Sequence, residues 1–219
     1  MIWNVCGKIG HTLFRRSPPD KRHACGLRLL NLGCGSKLYD GWINADFYRL
    51  HQILTRHPLR PDWMLDLTRR FHCDNDVFDG VYLEHVNEHL LYTQNFDMLS
   101  EVFRTMKPGG TLRIAVPSLT RYLDWNELKD QHPKFARYES LPEALSNLAQ
   151  NHLHMSIWDA SLMFELLGTI GFTDLREAEF GESAIPTLAA DGESHRWESL
   201  YIEATKPTRE TGGGQALAA

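Results

Sequence analysis

Apolar residues fall into two rhythms along this chain. Short apolar runs of about 4–8 residues, bounded by Gly, Asp, Asn or Pro, alternate with stretches in which apolar residues recur every three or four positions. The short runs predict strands at Leu27–Leu32, Trp42–Asp46, Trp63–Leu67, Gly80–Glu84, Thr111–Val116, Leu175–Phe180 and Ser199–Thr205. Strands separated by helical stretches are the sequence form of an α/β domain with a largely parallel sheet. In "NFDMLSEVFRTMKPGG", Phe96, Leu99, Phe103 and Met106 stand at helical spacing, and Lys107-Pro108-Gly109-Gly110 stops the helix. A second helix is predicted in "SIWDASLMFELLGTIGF", with Ser156 as its cap, Ile157, Leu162, Phe164, Leu166 and Leu167 as apolar surface, and Gly171 as its exit.

The segment 118–153 is less regular. It carries Tyr122, Trp125, Phe135 and Tyr138 with prolines at 133 and 142. Two readings are open: a cap over a ligand cleft, whose aromatics stack on a sugar, or a solvated helical excursion whose aromatics are core. The opening "MIWNVCGKIGHTLFRR" has its arginines after a short, Gly-interrupted apolar stretch, unlike a secretory signal, and Trp3, Leu13 and Phe14 suggest packing. The tail "TGGGQALAA" is expected to be disordered. The expected organisation is an extension at 1–26, one domain at 27–207 with 118–153 as its acceptor-side cap, and a tail at 208–219. No stretch approaches the ~20 apolar residues of a membrane span.

Composition adds exclusions. Of 219 residues, 42% are hydrophobic and 23% charged, an ordinary globular balance. A net charge of −5 and a pI near 6.1 speak against a phosphate-backbone partner, so no nucleic acid is expected. Cys6, Cys25, Cys34 and Cys73 form no C-x-x-C pair and read as reduced thiols of a cytoplasmic protein. His72 and Cys73 stand alone as an adjacent pair, so no metal is expected.

The candidate chemistry centres on "LRLLNLGCGSKLYDGWINADF". A strand ending in Gly33-Cys34-Gly35 puts tight backbone at the carboxyl end of a parallel sheet, where open α/β folds bind ligands. Asp46 ends the next strand and suits the two hydroxyls of a ribose. In dinucleotide sites such an acid follows the glycines by ~20 residues, across a helix whose N-terminus faces a pyrophosphate. Here the spacing is too short for that helix, and Ser36-Lys37-Leu38 replaces the third glycine. A nucleoside ligand without a diphosphate fits better than NAD, which disfavours a nicotinamide-dependent oxidoreductase.

On these residues the chain resembles the class I S-adenosyl-L-methionine-dependent methyltransferases, and among them small bacterial proteins associated with polysaccharide biosynthesis. "LNLGCG", "GWINAD", "DLTRRFHCDNDVFDGVYLEHVNEHL" and "VFRTMKPGGTLRIAVPSL" carry the resemblance, which runs on through "GFTDLREAEFGES" and "RWESLYIEATKP". It implies a Rossmann-like, seven-stranded, mostly parallel sheet with one antiparallel strand and helices on both faces. It also implies that Gly33, Cys34 and Gly35 lie against the methionine part of the cofactor. Asp46 would take the ribose and Phe47 the adenine; Asp66 and the backbone of Leu67 would meet the adenine edge. Glu84 and His85 would stand beside the methionine end and the methyl group. Two departures are visible: Asn31 occupies a position that is often acidic, and "HVNEH", His85 to His89, has Asn87 where the group has an apolar residue.

Each residue also has a plainer reading. Asp46 and Asp66 can cap the segments that follow them, and Cys34 is a small residue rather than a nucleophile. Glu88 and His89 can serve only to orient a loop, and His195, Arg196 and Glu198 either line an acceptor pocket or are solvated. His152 and His154 fall on one side of an extended segment. Methyl transfer to a hydroxyl profits from a general base near neutral pKa, and His85 and His154 are the candidates. The expected function is O-methylation of a small-molecule or carbohydrate hydroxyl; the alternative is a non-catalytic cofactor-binding subunit.

Overall fold

The computed structural model describes residues 17–47 and 61–208. The expectations for Cys6, Trp3, Leu13 and Phe14, and nearly all of the tail, fall outside these residues. The seven strands are β1 Leu29–Leu32, β2 Ile43–Asp46, β3 Trp63–Met64, β4 Phe78–Glu84, β5 Met106–Pro117, β6 Thr173–Glu177 and β7 Ser199–Thr205. They form one sheet in the order β3-β2-β1-β4-β5-β7-β6. β7 runs antiparallel to both β5 and β6, and the other pairings are parallel. The sheet therefore has the expected architecture, with a single reversed strand.

Alternation along the strands divides the sheet into two unlike faces. Leu30, Leu32, Ile43, Ala45, Val81, Leu83, Leu112, Ile114, Val116, Leu200, Ile202 and Ala204 belong to one apolar cluster. Onto this face pack α1 (Tyr92–Thr105), through Met98, Leu99 and Val102, and α6 (Ala160–Ile170), through Met163, Leu166 and Leu167. The opposite face carries Asn31, Asn44, Tyr82, Arg113 and Glu203, all buried. Its small apolar cluster is Leu29, Trp42, Tyr82 and Leu188, the last from the β6–β7 connection that crosses this face.

Polar groups on a buried face need partners, and Arg113 organises them. Its side chain is fully buried and makes five hydrogen bonds. Nε and Nη2 hold both carboxylate oxygens of Asp191 at 2.9 and 2.5 Å; Nη2 also reaches Glu179 O at 2.9 Å. Nη1 meets Glu182 O at 2.6 Å and Glu203 Oε1 at 3.2 Å. Three of these partners, Glu179, Glu182 and Asp191, lie in the β6–β7 connection. Arg176 completes the charge balance, donating to Glu203 Oε2 at 2.5 Å.

The helices depart from the sequence expectation in register. The inward face of α1 is Asn95, Met98, Leu99, Val102 and Thr105, while Phe96 points toward solvent and Phe103 packs on Phe172. The cause is Asn95, which the hydropathy pattern assigns to the outside. Its carboxamide is buried because it donates to the carbonyls of Asn87, Leu90 and Leu91. α6 is capped by Asp159, which accepts from Leu162 N at 2.8 Å, and not by Ser156. The Ser156 hydroxyl is engaged by Asn87 O and Trp158 Nε1. Lys107-Pro108-Gly109-Gly110 does end α1, but it lies inside β5 as a bulge: the register moves from Phe78↔Met106 to Gly80↔Thr111, and Gly109 takes φ 79°.

Segment 118–153 folds into four short helices: α2 Leu119–Leu123, α3 Trp125–Leu128, α4 Pro133–Ala136 and α5 Leu141–Gln150. Tyr122, Trp125, Phe135 and Tyr138 form their shared core with Ala144 and Leu148. A sugar-stacking role for these aromatics is therefore corrected: their rings are covered by one another. No helix among the described residues is long and apolar enough to cross a membrane.

Replacing Arg113 with Met leaves Asp191 without its cation and Glu203 with Arg176 alone, so the variant is expected to lose roughly 3–5 kcal/mol of stability in urea unfolding. Burial alone would raise the Glu203 carboxyl, but Ser183, the Ala184 N–H, Arg176 and Arg113 outweigh it and hold it below its ordinary range. A carboxyl lowered by folding stabilises the protein above its unfolded pKa of ~4.3 and loses that contribution as pH falls through the lower folded value. Stability measured from pH 6 downward should thus decline in acid, less steeply in Arg113→Met than in the wild type.

Candidate functional site

The strand order reverses between β1 and β4, the place where open α/β sheets leave a crevice at their carboxyl ends. Out of β1 comes the turn Gly33-Cys34-Gly35. The amides of Gly33 and Cys34 both donate to Ala45 O, at 2.8 and 3.1 Å, which ties the turn to the end of β2. Gly33 has φ 71°, and a Cβ there would lie 2.5 Å from Val86 Cγ2. Gly35 has φ 51°, but a Cβ there would meet nothing within 4 Å. One glycine is demanded by packing, and the other by its positive φ alone.

Asp46 closes the turn from the second strand. Its Oδ2 accepts from Gly35 N and its Oδ1 from Phe47 N, each at 2.6 Å. Among the described residues nothing else donates to it, so each carboxylate oxygen has a lone pair to spare for a ligand hydroxyl. Burial and the nearby Asp46 charge push the Cys34 thiol up to about 12, so Cys34 is a neutral small residue of the turn.

The amides beneath the turn set its shape. Asn31 Nδ2 donates to Lys37 O at 2.8 Å and to Asn44 Oδ1 at 3.0 Å. Asn44 Nδ2 reaches Tyr39 O and Asp62 Oδ2, and Asp62 pairs with Lys21 at 3.1 Å. Asn31 thus braces the far limb of the glycine turn by donation, which an acid in its place could not do toward a carbonyl. Asn44 lies within "GWINAD" but has no role assigned there, and Asp62 lies in none of the motifs that carry the resemblance. Only the β1–β2 register, Asn31↔Asn44, reveals the pair.

Glu84 ends β4 with its Oε2 2.7 Å from Lys37 Nζ and its Oε1 accepting from Gly192 N at 2.9 Å. The carboxylate joins the glycine turn to the β6–β7 connection that Arg113 anchors. Asp66 lies farther along the same rim. It accepts from Thr68 N and Thr68 Oγ1 at 3.0 and 2.7 Å and pairs with Arg69 at 3.1 Å, the geometry of a turn cap. Leu67 follows it, packed against the apolar core.

His85 comes next in the chain, in the left-handed region at φ 52°. Its Nε2 lies 2.9 Å from Ser199 Oγ, its Nδ1 3.1 Å from Glu88 Oε1, and its ring 4.1 Å from that of His195. Tyr122 donates to Glu198 Oε2 at 2.7 Å, and His195 Nδ1 stands 3.4 Å from Glu198 Oε1. Burial alone would raise the Glu198 carboxyl, but these two partners outweigh it and hold it low. Of the doubtful loop residues, His195 and Glu198 therefore join His85, while Arg196 lies over the Phe180 ring. Ser199 was not anticipated by any sequence signal.

Asn87 of "HVNEH" is buried and paired with Asn95, its Nδ2 donating to Asn95 Oδ1 at 2.9 Å. This pairing fixes the 3-10 turn Asn87–His89 that presents Glu88 and His89. The N–H groups of Met155 and Ser156 donate to Glu88 O at 2.7 and 3.2 Å, which brings His154 beside His89 with rings 5.2 Å apart. Burial holds His89 below its ordinary pKa, with Glu88 opposing and the neighbouring histidines reinforcing the shift. His154 therefore stands with Glu88 and His89, whereas His85 stands between Glu88 and Ser199.

No family profile matches the chain, and no curated protein matches it in sequence. Solved structures do match its fold. Phosphoethanolamine N-methyltransferase 2 of Haemonchus contortus, in complex with phosphomonomethylethanolamine and S-adenosylhomocysteine, aligns with a TM-score of 0.52 at 16% identity over 94% of this chain and 53% of its own. Human N-acetylserotonin methyltransferase in complex with SAM aligns at 0.50 and 18% identity, over 94% of this chain and 53% of its own. A chain of the Haloferax volcanii complex between the Trm112 methyltransferase activator and a candidate methyltransferase aligns at 0.50 and 15% identity, over 94% of this chain and 92% of its own. This chain spans about half the length of the first two. The likeness shows a Rossmann-like fold shared with these methyltransferase structures.

Gly33→Ala places a Cβ against Val86 on a backbone of positive φ, and is expected to cost about 2 kcal/mol or more. In a Val86→Ala background the same change should cost less, a non-additivity that urea unfolding of the four proteins measures. Gly35→Ala has open space around it and should lose only the backbone contribution of about 1 kcal/mol.

Proposed function

We propose that this protein binds S-adenosyl-L-methionine at the β1–β4 switch point and transfers its methyl group to an acceptor hydroxyl. The observation that carries the reading is the Gly35–Asp46 pair: a glycine with open space where a Cβ would stand donates its N–H at 2.6 Å to a carboxylate that, among the described residues, keeps lone pairs for further donors. Ribose hydroxyls satisfy those lone pairs, and the short turn leaves no helix N-terminus for a diphosphate. Gly33, Cys34 and Gly35 border the amino-acid part of the cofactor. Phe47 follows Asp46 and offers a ring to the adenine, with Asp66 and the backbone of Leu67 at its edge. Lys37 and Glu84 offer a cation and an anion to the zwitterionic methionine end. The ligands of two structurally similar proteins, S-adenosylhomocysteine and SAM, are nucleosides without a diphosphate, in keeping with this assignment.

Displacement at a sulfonium methyl is in line, so the protein's principal contribution is to hold donor and acceptor in attack geometry. A hydroxyl acceptor releases a proton as the O–C bond forms and the C–S bond breaks. His85, with Ser199 on one nitrogen and Glu88 beside the other, is the base we assign, with His154 as the second candidate. Carbohydrate or other small polyhydroxyl acceptors fit the polar cleft lined by Ser118, Arg121, Glu179, Arg196 and Ser199. A non-catalytic binding subunit would keep the Gly35–Asp46 site and have no use for this arrangement around His85.

Calorimetry with S-adenosylhomocysteine, with NAD as control, tests the cofactor first. Wild-type protein should bind S-adenosylhomocysteine and ignore NAD. Asp46→Ala, which removes two charge-assisted contacts of ~1.5 kcal/mol or more each, should bind at least about 100-fold more weakly. No binding by the wild type, or preference for NAD, would remove the basis of the assignment. With the cofactor established, methyl transfer in an acceptor screen separates an enzyme from a binding subunit.

A further inference from the structure

Glu88 is 1% exposed, yet neither carboxylate oxygen accepts a hydrogen bond. An unpaired buried carboxylate is strongly destabilising unless a cation accompanies it. Around it stand histidines: His85 Nδ1 at 3.1 Å and His89 Nε2 at 3.9 Å from Glu88 Oε1. One donor atom each from Glu88, His89 and His154 all lie within 4.8 Å of one another.

Hydrogen bonds on the far sides of these rings decide which nitrogens face the carboxylate. His154 Nδ1 is 2.7 Å from Leu148 O, which can only accept, so Nδ1 carries the proton and the neutral ring keeps its lone pair on Nε2. This is how metal-binding histidines are oriented. Ser199 Oγ donates its proton to His195 O at 2.7 Å, so it accepts from His85 Nε2. The neutral His85 ring then turns its Nδ1 lone pair toward Glu88 Oε1, and two acceptors face each other at 3.1 Å. Either a second proton, which makes the ring an imidazolium donating to Glu88, or a metal cation beside the pair resolves that opposition.

The backbone is held in unusual conformations to make this arrangement. His85, His152 and Leu153 all have positive φ, at 52°, 53° and 66°. Such residues persist where the surroundings over-determine them, and here the clamp is the pair of bonds from Met155 N and Ser156 N to Glu88 O. The neighbouring group His85, His195 and Glu198 is also close together, but Glu198 is already satisfied by Tyr122 and His195.

We propose that Glu88, His89 Nε2 and His154 Nε2 bind one divalent transition metal of the zinc class, with His85 Nδ1 at the edge of the site. Two imidazoles and one carboxylate are a donor set that suits zinc or cobalt rather than magnesium or calcium, and three protein ligands leave a position open for water or another oxygen. The site is independent of the cofactor reading and is tested without it; a metal on His154 Nε2 takes that ring out of contention as a base and leaves the role to His85.

Purified full-length protein, stripped with a chelator, is titrated with Zn²⁺ by calorimetry and with Co²⁺ by visible absorption. The wild type should bind one equivalent, show ligand-field bands with Co²⁺, and rise in melting temperature with Zn²⁺. His154→Ala should weaken Zn²⁺ binding at least tenfold while keeping the wild-type circular dichroism. Glu88→Gln should also lose the metal, yet melt higher than the stripped wild type because the unpaired charge is gone. Absence of stoichiometric Zn²⁺ binding by the wild type would overturn the proposal, as would wild-type affinity in His154→Ala. Loss of the metal in His195→Ala but not in His154→Ala would overturn the assignment in favour of the neighbouring group. S-adenosylhomocysteine calorimetry on the same stripped protein reports separately on the cofactor site.

Discussion

A fully buried guanidinium holds this structure's functional rim together. Arg113 sits in the middle of β5, on the polar face of the sheet, and its five hydrogen bonds take in two carboxylates and two carbonyls. The planar fork of arginine matches the bidentate Asp191 carboxylate, which lysine could not do. Because Asp191, Glu179 and Glu182 belong to the β6–β7 connection, the charge network places that connection across the sheet. Gly192, the residue after Asp191, is thereby brought to Glu84, and Glu84 to Lys37 of the glycine turn. A Cβ at Gly192 would displace both Lys37 and Glu84, so this contact too is made by backbone alone. The chain of contacts runs from a buried ion pair to the ligand-facing turn without a gap.

A second polar layer supports the same turn from below. Asn31, Asn44 and Asp62 pass hydrogen bonds from β1 through β2 to Lys21, and burial costs Asn31 and Asn44 little because both amides are used. Asp62 stays ionised there: burial would raise its carboxyl, and the Asn44 backbone and side chain with Lys21 outweigh that and hold it low. The apolar face is made of interchangeable branched side chains, whereas the polar face has specific pairs. Specificity of the site therefore comes from the face that contributes less hydrophobic stabilisation.

The helical segment between β5 and α6 meets the body of the protein at few, directed points. Ser118 N donates to Glu198 O and Leu119 N to Trp158 O, and Tyr122 reaches Glu198 from within the segment's own core. Its last turn leads through His152 and Leu153 into the extended stretch that docks on Glu88. The helical segment thus delivers His154, while the sheet delivers His85, and Glu88 lies between them.

The seven strands, their limits to within a few residues and the glycine–aspartate pair were readable from the chain because alternation and local turn chemistry depend on near neighbours. The same local rules misplaced α1 by about one residue, since they treat Asn95 as outward, and only the carbonyls of Asn87, Leu90 and Leu91 explain its burial. They also chose Ser156 as a cap, blind to the Trp158 indole that occupies it. Arg113 with Asp191 and Glu88 with His154 are far apart in sequence and share no motif, and Asn31 and Asn44 lie in one stretch that does not reveal their contact. Their pairing was decided by strand order and by loops crossing the sheet. Local sequence determined the elements and the glycine turn; the tertiary structure alone decided which buried polar groups meet, because the stability of a buried charge depends on partners that the fold brings from elsewhere in the chain.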